Sequence, residues 1–244
     1  MINIGARPLV SVIVPFYNCP YIQSAIESVL NQTYSNVEII VVNDGSTKHS
    51  ELLQPFRDKI IYIEKENGGT ATALNVGLKS ANGDLIAWLS SDDRFVTDKL
   101  EKQVHFMKQT KADLIYTNYD YINEYNEITA TKLGIPLFNK KDLLRYMIRN
   151  NPINGCTILA KRQALINVGL FDETLRYAND YDMWIKLAIN YEVKFLDECL
   201  VRYRIHENMG SKKHSKEVMA EFIHVKNRYR LPLLNRIIQE KKDQ

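Results

Sequence analysis

Three cysteines in 244 residues, Cys19, Cys156 and Cys199, are odd in number and too scattered for a disulfide framework or a CxxC-type zinc site. They are expected to be reduced and structural, in a cytoplasmic setting. The chain also lacks any run approaching the roughly 18 apolar residues that span a bilayer. Its opening, "MINIGARPLV", has no charged-then-apolar signal layout. A soluble protein is expected, with peripheral contact at the inner membrane face left open. An excess of one charge is missing too: 32 basic and 29 acidic side chains are mixed along the sequence for a net +3. No global field therefore points to nucleic acid as a partner. With no internal repeat or low-complexity segment, what remains is a chain 45% hydrophobic and 25% charged, long enough for one large α/β domain or a domain with an appendage.

Between Val10 and Asn123, β-branched runs alternate with amphipathic ones. "VSVIVPFYN", "VEIIVVND", "KIIYIEKEN", "DLIAWLSSDD" and "DLIYTNYDYIN" read as strands. "YIQSAIESVLNQ" places Ile22, Ala25, Ile26, Val29 and Leu30 at helical spacing, and "SELLQPFRD", "TATALNVGLKSA" and "TDKLEKQVHFMKQT" read as further helices. Repeated strand-helix-strand units predict a mainly parallel twisted sheet with helices on both faces. Ligands of such sheets sit outside the carboxyl ends of the strands. Here four strands end in "PFYN", "NDGS", "ENGG" and "SSDD". Each alone is explained as a polar turn; together they predict one binding rim.

Adjacent carboxylates at a strand end raise each other's pKa unless a cation neutralises them. Asp92 and Asp93 therefore read either as a site for a hard divalent ion shared with substrate phosphates or as caps of the helix that follows. The ordered set "VSVIVPFYN", "VNDGST", "ENGGTATALNVGLKSANGDLIAWLSSDD", "NDYDMW" and "YRIHENMGS", from about Pro8 to Ser211, resembles the family 2 glycosyltransferases of the GT-A fold. That resemblance implies an inverting, metal-dependent enzyme moving a sugar from a nucleotide diphosphate sugar, most often a UDP-sugar, with Mn2+ or Mg2+ as cofactor.

Carried onto this sequence, the resemblance implies a nucleotide pocket of Pro15, Phe16, Tyr17 and Asn18. Asp44 would accept from the uracil imide, and Asn67, Gly68 and Gly69 would let backbone approach the nucleotide. As a plain motif, Asp44 or Ser46 would cap a following helix. Asp92 would bind ribose or metal-bound water and Asp93 the metal, with His206 completing the coordination and Ser211 closing the C-terminal motif. Asp180, in the helix-starting "ANDYDMW", would be the base for the acceptor hydroxyl; its plainer reading is a helix cap. Two positions depart from the family pattern: Ser90 replaces the first acidic residue and Asn179 the Glu before the base. Arg202 and Arg204 are candidates for steadying the leaving group.

Residues 1–211 are expected to form the GT-A domain, with 1–123 holding the nucleotide sugar and 124–211 the acceptor, a glycan, lipid-linked or polymer hydroxyl. In the second half, "EITATKLG" reads as a strand, "NKKDLLRYMIRN" and "NDYDMWIKLAIN" as helices, and "EVKFLDECLVRYRIH" as a pair of strands. Residues 212–244 read as a basic amphipathic helical tail interrupted at Pro232. It would pack on the domain, make a homo-oligomer contact or lie on a membrane. Two other functions stay open: a nucleotidyltransferase, disfavoured because "PFYNCPYI" lacks a glycine or basic residue, and a degenerate sugar-nucleotide-binding module.

Overall fold

The fold is a computed structural model in which residues 7–207, 209 and 213–242 are described. Its centre is β1 (Val10–Phe16), an almost wholly buried run flanked in parallel by β2 (Val37–Asp44) and β4 (Leu85–Trp88), with β3 (Ile61–Lys65) outside β2. Beyond β4 come β8 (Leu159–Lys161), β6 (Leu114–Ile122), β9 (Val193–Arg204) and the short β5 (Arg94–Phe95), while β7 (Ile128–Ala130) pairs with β6. Strands β1 to β4, β6 and β9 run one way and β5, β7 and β8 oppose them. The sheet is mixed but mainly parallel.

Alternation along the central strands sends side chains to two apolar layers. Ile13, Ile40, Val42 and Ile86 face α2 (Thr70–Ser80), α4 (Lys140–Met147), α5 (Arg162–Asn167) and α6 (Asn179–Asn190). Val12, Val14, Val41 and Leu85 face α1 (Ile22–Leu30), the 3-10 turn Ser50–Phe56 and α3 (Lys99–Thr110). Pro55 holds the "SELLQPFRD" segment to that 3-10 turn.

Two expectations need correction. The segment "EVKFLDECLVRYR" is one strand, β9. Its polar centre is absorbed by register shifts against β6: Thr117 pairs Leu196 but Asn118 pairs Cys199, so Asp197 and Glu198 bulge out instead of turning. The C-terminal segment is one helix, α7 (Ser215–Lys242), uninterrupted at Pro232. Pro232 and Arg228, whose carbonyl loses its helical partner, both lie at the exposed surface, where water replaces the missing N–H. α7 packs on the domain. Val225, Leu233 and Ile237 are buried in the α2–α6 layer, Phe222 stacks on Tyr181 at 4.7 Å, and the helix packs against α4 and α6.

Candidate active site

The carboxyl ends of β1, β2 and β4 open into one cleft of about 560 Å3, walled by Tyr17, Asp44, Asn67 and Asp92 on the sheet side and by Arg176, Tyr177, Lys213 and His214 opposite. It shares Trp88, Ser90, Asp92 and Arg176 with an adjoining cavity of about 290 Å3 bounded by Asp93, Asn179, Asp180 and Tyr203. The four polar strand ends thus form the expected rim, and residues from the second half of the chain close over it.

At one end, Pro15 and the buried Phe16 line the cleft below the half-exposed Tyr17. Asn18 has a different job: at φ 49 its side-chain oxygen accepts from the Thr47 and Lys48 amides, both at 2.8 Å, tying the β1 turn to the β2 turn. Asp44 is buried, and its carboxylate accepts from Lys65 Nζ (2.6 Å), Gly68 N (2.9 Å), Gly69 N (2.8 Å) and Asn67 Nδ2 (3.2 Å). It therefore holds the loop that enters α2 rather than capping a helix just after itself. Gly69, at φ 90, supplies a backbone conformation that L side chains rarely adopt. Ser46 does not cap either; it accepts from Asn18 N at 3.0 Å.

The acidic turn is pinned from the far side of the sheet. β5, directly after Asp93, pairs with β9, so Arg204 N donates to Asp93 Oδ1 at 2.8 Å, while Cys156 Sγ donates to Oδ2 at 3.0 Å. Burial, then the neighbouring Asp92 charge, push the Asp93 carboxyl well above the ordinary carboxylate range. Asp92 is the carboxylate with more open solvent, its Oδ2 lying 3.0 Å from His206 Nε2. Neither arginine expected at the leaving group faces the cleft. The buried Arg204 donates to the carbonyls of Asp92 (2.8 Å) and Asn123 (2.7 Å), and Arg202 pairs with Asp120. Trp88 reaches the cleft only because Gly155 lies beneath it, where a Cβ would sit 2.4 Å from the indole ring.

Asp180 sits in the first turn of α6 at the wall of the adjoining cavity. Burial lifts its carboxyl to about 6, against the Tyr181 N–H at 2.6 Å and the Asn151 amide at 3.0 Å that favour the ionised form. It does not cap the helix from outside. Glu221 of α7 fixes the segment that leads into the helix, accepting from the consecutive amides of Arg176 (3.0 Å), Tyr177 (2.7 Å) and Ala178 (2.9 Å). The negative carboxylate also complements the positive end of the α6 dipole. Asn179 turns inward, donating to the carbonyls of Leu175 and Arg176. The fully buried Asp182, one turn on, pairs with Lys186 (2.9 Å) and Arg228 (3.1 Å) and accepts from the Tyr229 hydroxyl (2.9 Å), a second bond between α6 and α7.

Arg176, Tyr177, Lys213, His214 and Glu221 were missed by sequence reasoning. Arg176 and Tyr177 lie just ahead of "NDYD" and were within reach of it, but nothing in the pattern of α7 marks Glu221. Ser211 lies outside the described residues. Among the described residues no group of three or more His, Cys, Asp or Glu is gathered as a metal site, and no helix is long and apolar enough to cross a membrane.

Comparisons with known proteins bear on the family and the fold. An uncharacterized glycosyltransferase of Rickettsia typhi is 38% identical over 206 residues, covering 82% of this chain and 65% of the relative. The chain spans less than two thirds of the length of this and the other rickettsial relatives. The Escherichia coli UDP-Glc:alpha-D-GlcNAc-diphosphoundecaprenol beta-1,3-glucosyltransferase WfaP is 34% identical over 221 residues, covering 87% of this chain and 84% of that one. S. aureus TarS 1-349, crystallised in complex with UDP-GlcNAc, shares the fold at a TM-score of 0.72 and 22% identity, over 93% of this chain and 72% of that chain. Residues 11–173, from the start of β1 past the acidic turn, match the family profile described as glycosyl transferase family 2, and with it the chain belongs to that family.

Proposed function

We propose that this protein is an inverting, metal-dependent glycosyltransferase that moves a sugar from a UDP-sugar to an acceptor hydroxyl. The observation that carries this reading is the single cleft with Asp44 at one end, Asp92 in the middle and Asp180 in the adjoining cavity. The uridine lies against Pro15, Phe16 and Tyr17, with Asn67 and Gly69 lining the same cleft, whereas Gly68 faces Thr72 and Lys65. The uridine imide donates to Asp44, displacing Lys65, the donor with the most flexible side chain. Arg176 and Lys213 face the diphosphate across from Asp92.

Asp92 and His206 fit a hard cation as a pair, one partly exposed carboxylate and one imidazole 3.0 Å apart, with phosphate oxygens and water supplying the other donors. This moves the direct-ligand role from Asp93, whose two oxygens are already engaged, to Asp92. When bound, Mn2+ or Mg2+ supplies charge neutralisation at the leaving diphosphate. Asp180 takes the proton of the acceptor hydroxyl. The acceptor oxygen then bonds to the anomeric carbon from the face opposite the diphosphate, the carbon–oxygen bond to the diphosphate breaks, and UDP leaves. WfaP's name supports a lipid-linked diphosphate glycan as acceptor class, and the TarS complex supports a UDP-sugar donor. Asp180 in place, with its carboxyl raised towards neutrality, favours a working enzyme over a degenerate module.

Titration by calorimetry with UDP, GDP, CDP and dTDP, each with and without Mn2+, tests the donor site. Metal-dependent UDP binding, tighter than the other three, is expected; binding of none of them would sink the reading.

Glu221 supplies a second test. Glu221→Ala leaves three amides at the α6 N-terminus without their acceptor and lets the Arg176–Ala178 loop drift from the cleft. Turnover is expected to fall about 10- to 100-fold, in line with the sensitivity of reacting geometry to small displacements. Glu221→Gln, which keeps one acceptor oxygen, should recover part of it. Equal, small effects of both on kcat would show the loop holds without Glu221.

A further inference from the structure

We propose that the outer face of α7 is a docking surface for an anionic phospholipid bilayer. Along the side of α7 turned away from the core, Met219, Ile223, Leu231, Leu234 and Ile238 are between 39% and 70% exposed. At 1.5 Å per residue they form a stripe roughly 29 Å long. So many large apolar side chains open on one helix face mark a contact surface rather than the scattered exposure normal for a soluble chain.

The charges beside the stripe choose the occupant. Lys216, Arg230, Lys241 and Lys242 lie at the exposed surface on the same side. Two of the three acids of the helix are turned inward: Glu221 to the amides before α6, and Glu240 to Arg236 at 2.6 Å. Only Glu217, at the N-terminal margin, is an exposed acid. An apolar stripe bordered by cations is the pattern of a helix lying in a lipid headgroup layer, where buried area and attraction to anionic lipid add. Antiparallel pairing with a second copy would instead set Lys216 against Lys241, whereas lipid phosphates neutralise all four cations.

The position of this face gives docking a use. Val218, one residue before the stripe, lines the cavity that holds Asp180, and Lys213 and His214 line the cleft. α7 therefore carries the stripe on one side and lines the site with its first turn, so a docked chain holds the site within about one helix diameter, roughly 10–12 Å, of the headgroups.

Vesicle sedimentation of the full chain tests this without turnover, so failure of the glycosyl transfer reading leaves the result interpretable. The protein is expected to sediment with phosphatidylglycerol-phosphatidylcholine vesicles, less so as salt rises, and weakly with pure phosphatidylcholine. Leu231→Glu with Ile238→Glu, or Arg230→Glu with Lys241→Glu, should each lower that binding by at least about tenfold. All four residues are exposed, and unchanged melting curves will show that the variants fold. No sedimentation, or sedimentation that neither pair of substitutions weakens, overturns the proposal. So does a dimer in light scattering that Leu231→Glu dissociates while vesicle binding is absent.

Discussion

Asp180→Asn is expected to lower sugar transfer by roughly 10²- to 10⁴-fold, the usual contribution of a positioned general base, while leaving UDP affinity within about twofold. The carboxylate lines the adjoining cavity and not the cleft that holds Asp44, so its loss removes proton acceptance and spares the nucleotide contacts. The pH profile should carry its signature. With the Asp180 carboxyl at about 6, kcat/KM of the native protein rises as pH climbs through 6 and flattens above it. The residual activity of the variant lacks that rise. Retained transfer, or a rise that persists in the variant, would take the base role from Asp180.

The same shift predicts a gain in stability. Between the ordinary value of 3.8 and about 6 the folded protein binds more protons than the unfolded chain, so this group's contribution falls as pH rises across that window and is lost above 6. Holding Asp180 ionised at neutral pH then costs about 3 kcal/mol, nearer 2 with partial solvent access. Asparagine carries no charge to desolvate but weakens one bond, to Asn151 or Tyr181, at about 1 kcal/mol. Asp180→Asn should therefore melt higher than the native protein at pH 7.5, and the difference should shrink near pH 4. An inactive variant that is more stable separates loss of chemistry from loss of fold.

Asp92→Ala is expected to abolish the metal-dependent part of UDP binding, about 100-fold in affinity with Mn2+ and little without it. Its side chain is partly exposed and, among the described residues, hydrogen-bonds to the side chain of His206, so the melting temperature should hardly move. Asp93→Asn makes the contrast. Its side chain is buried, with Arg204 N and Cys156 Sγ on its two oxygens, so it anchors the acidic turn to β9. The amide keeps one acceptor oxygen and carries no charge to desolvate, so the turn keeps its place and metal-dependent UDP affinity should stay within about threefold. If Asp93→Asn loses the metal effect and Asp92→Ala keeps it, the direct ligand is Asp93, as the motif alone implied.

Much of the site was legible because strand ends and their loops are short-range features. The runs that became β1 to β4 follow from β-branched alternation, and a parallel sheet must present their carboxyl ends on one edge. That places Tyr17, Asp44, Asn67 and Asp92 together without further information. What the sequence could not show lies where a contact crosses the sheet. Asp93 turns inward because β5 pairs with β9 more than a hundred residues on, and Arg204 is spent on the carbonyls of Asp92 and Asn123 for the same reason. The segment "EVKFLDECLVRYRIH" read as a pair of strands because a bulge and a turn both break alternation, and only the partner strand tells them apart.

By itself, then, the sequence determined the mainly parallel sheet, the rim and the family, because hydrophobic period and motif order are properties of neighbours along the chain. Only the tertiary structure decided which carboxylate of the acidic pair is open to a ligand, and that the C-terminal helix belongs to the core and holds the α6 loop. Those outcomes depend on which distant backbone groups arrive at hydrogen-bond distance: Glu221 reads as one more exposed acid until three amides some 45 residues earlier are placed against it.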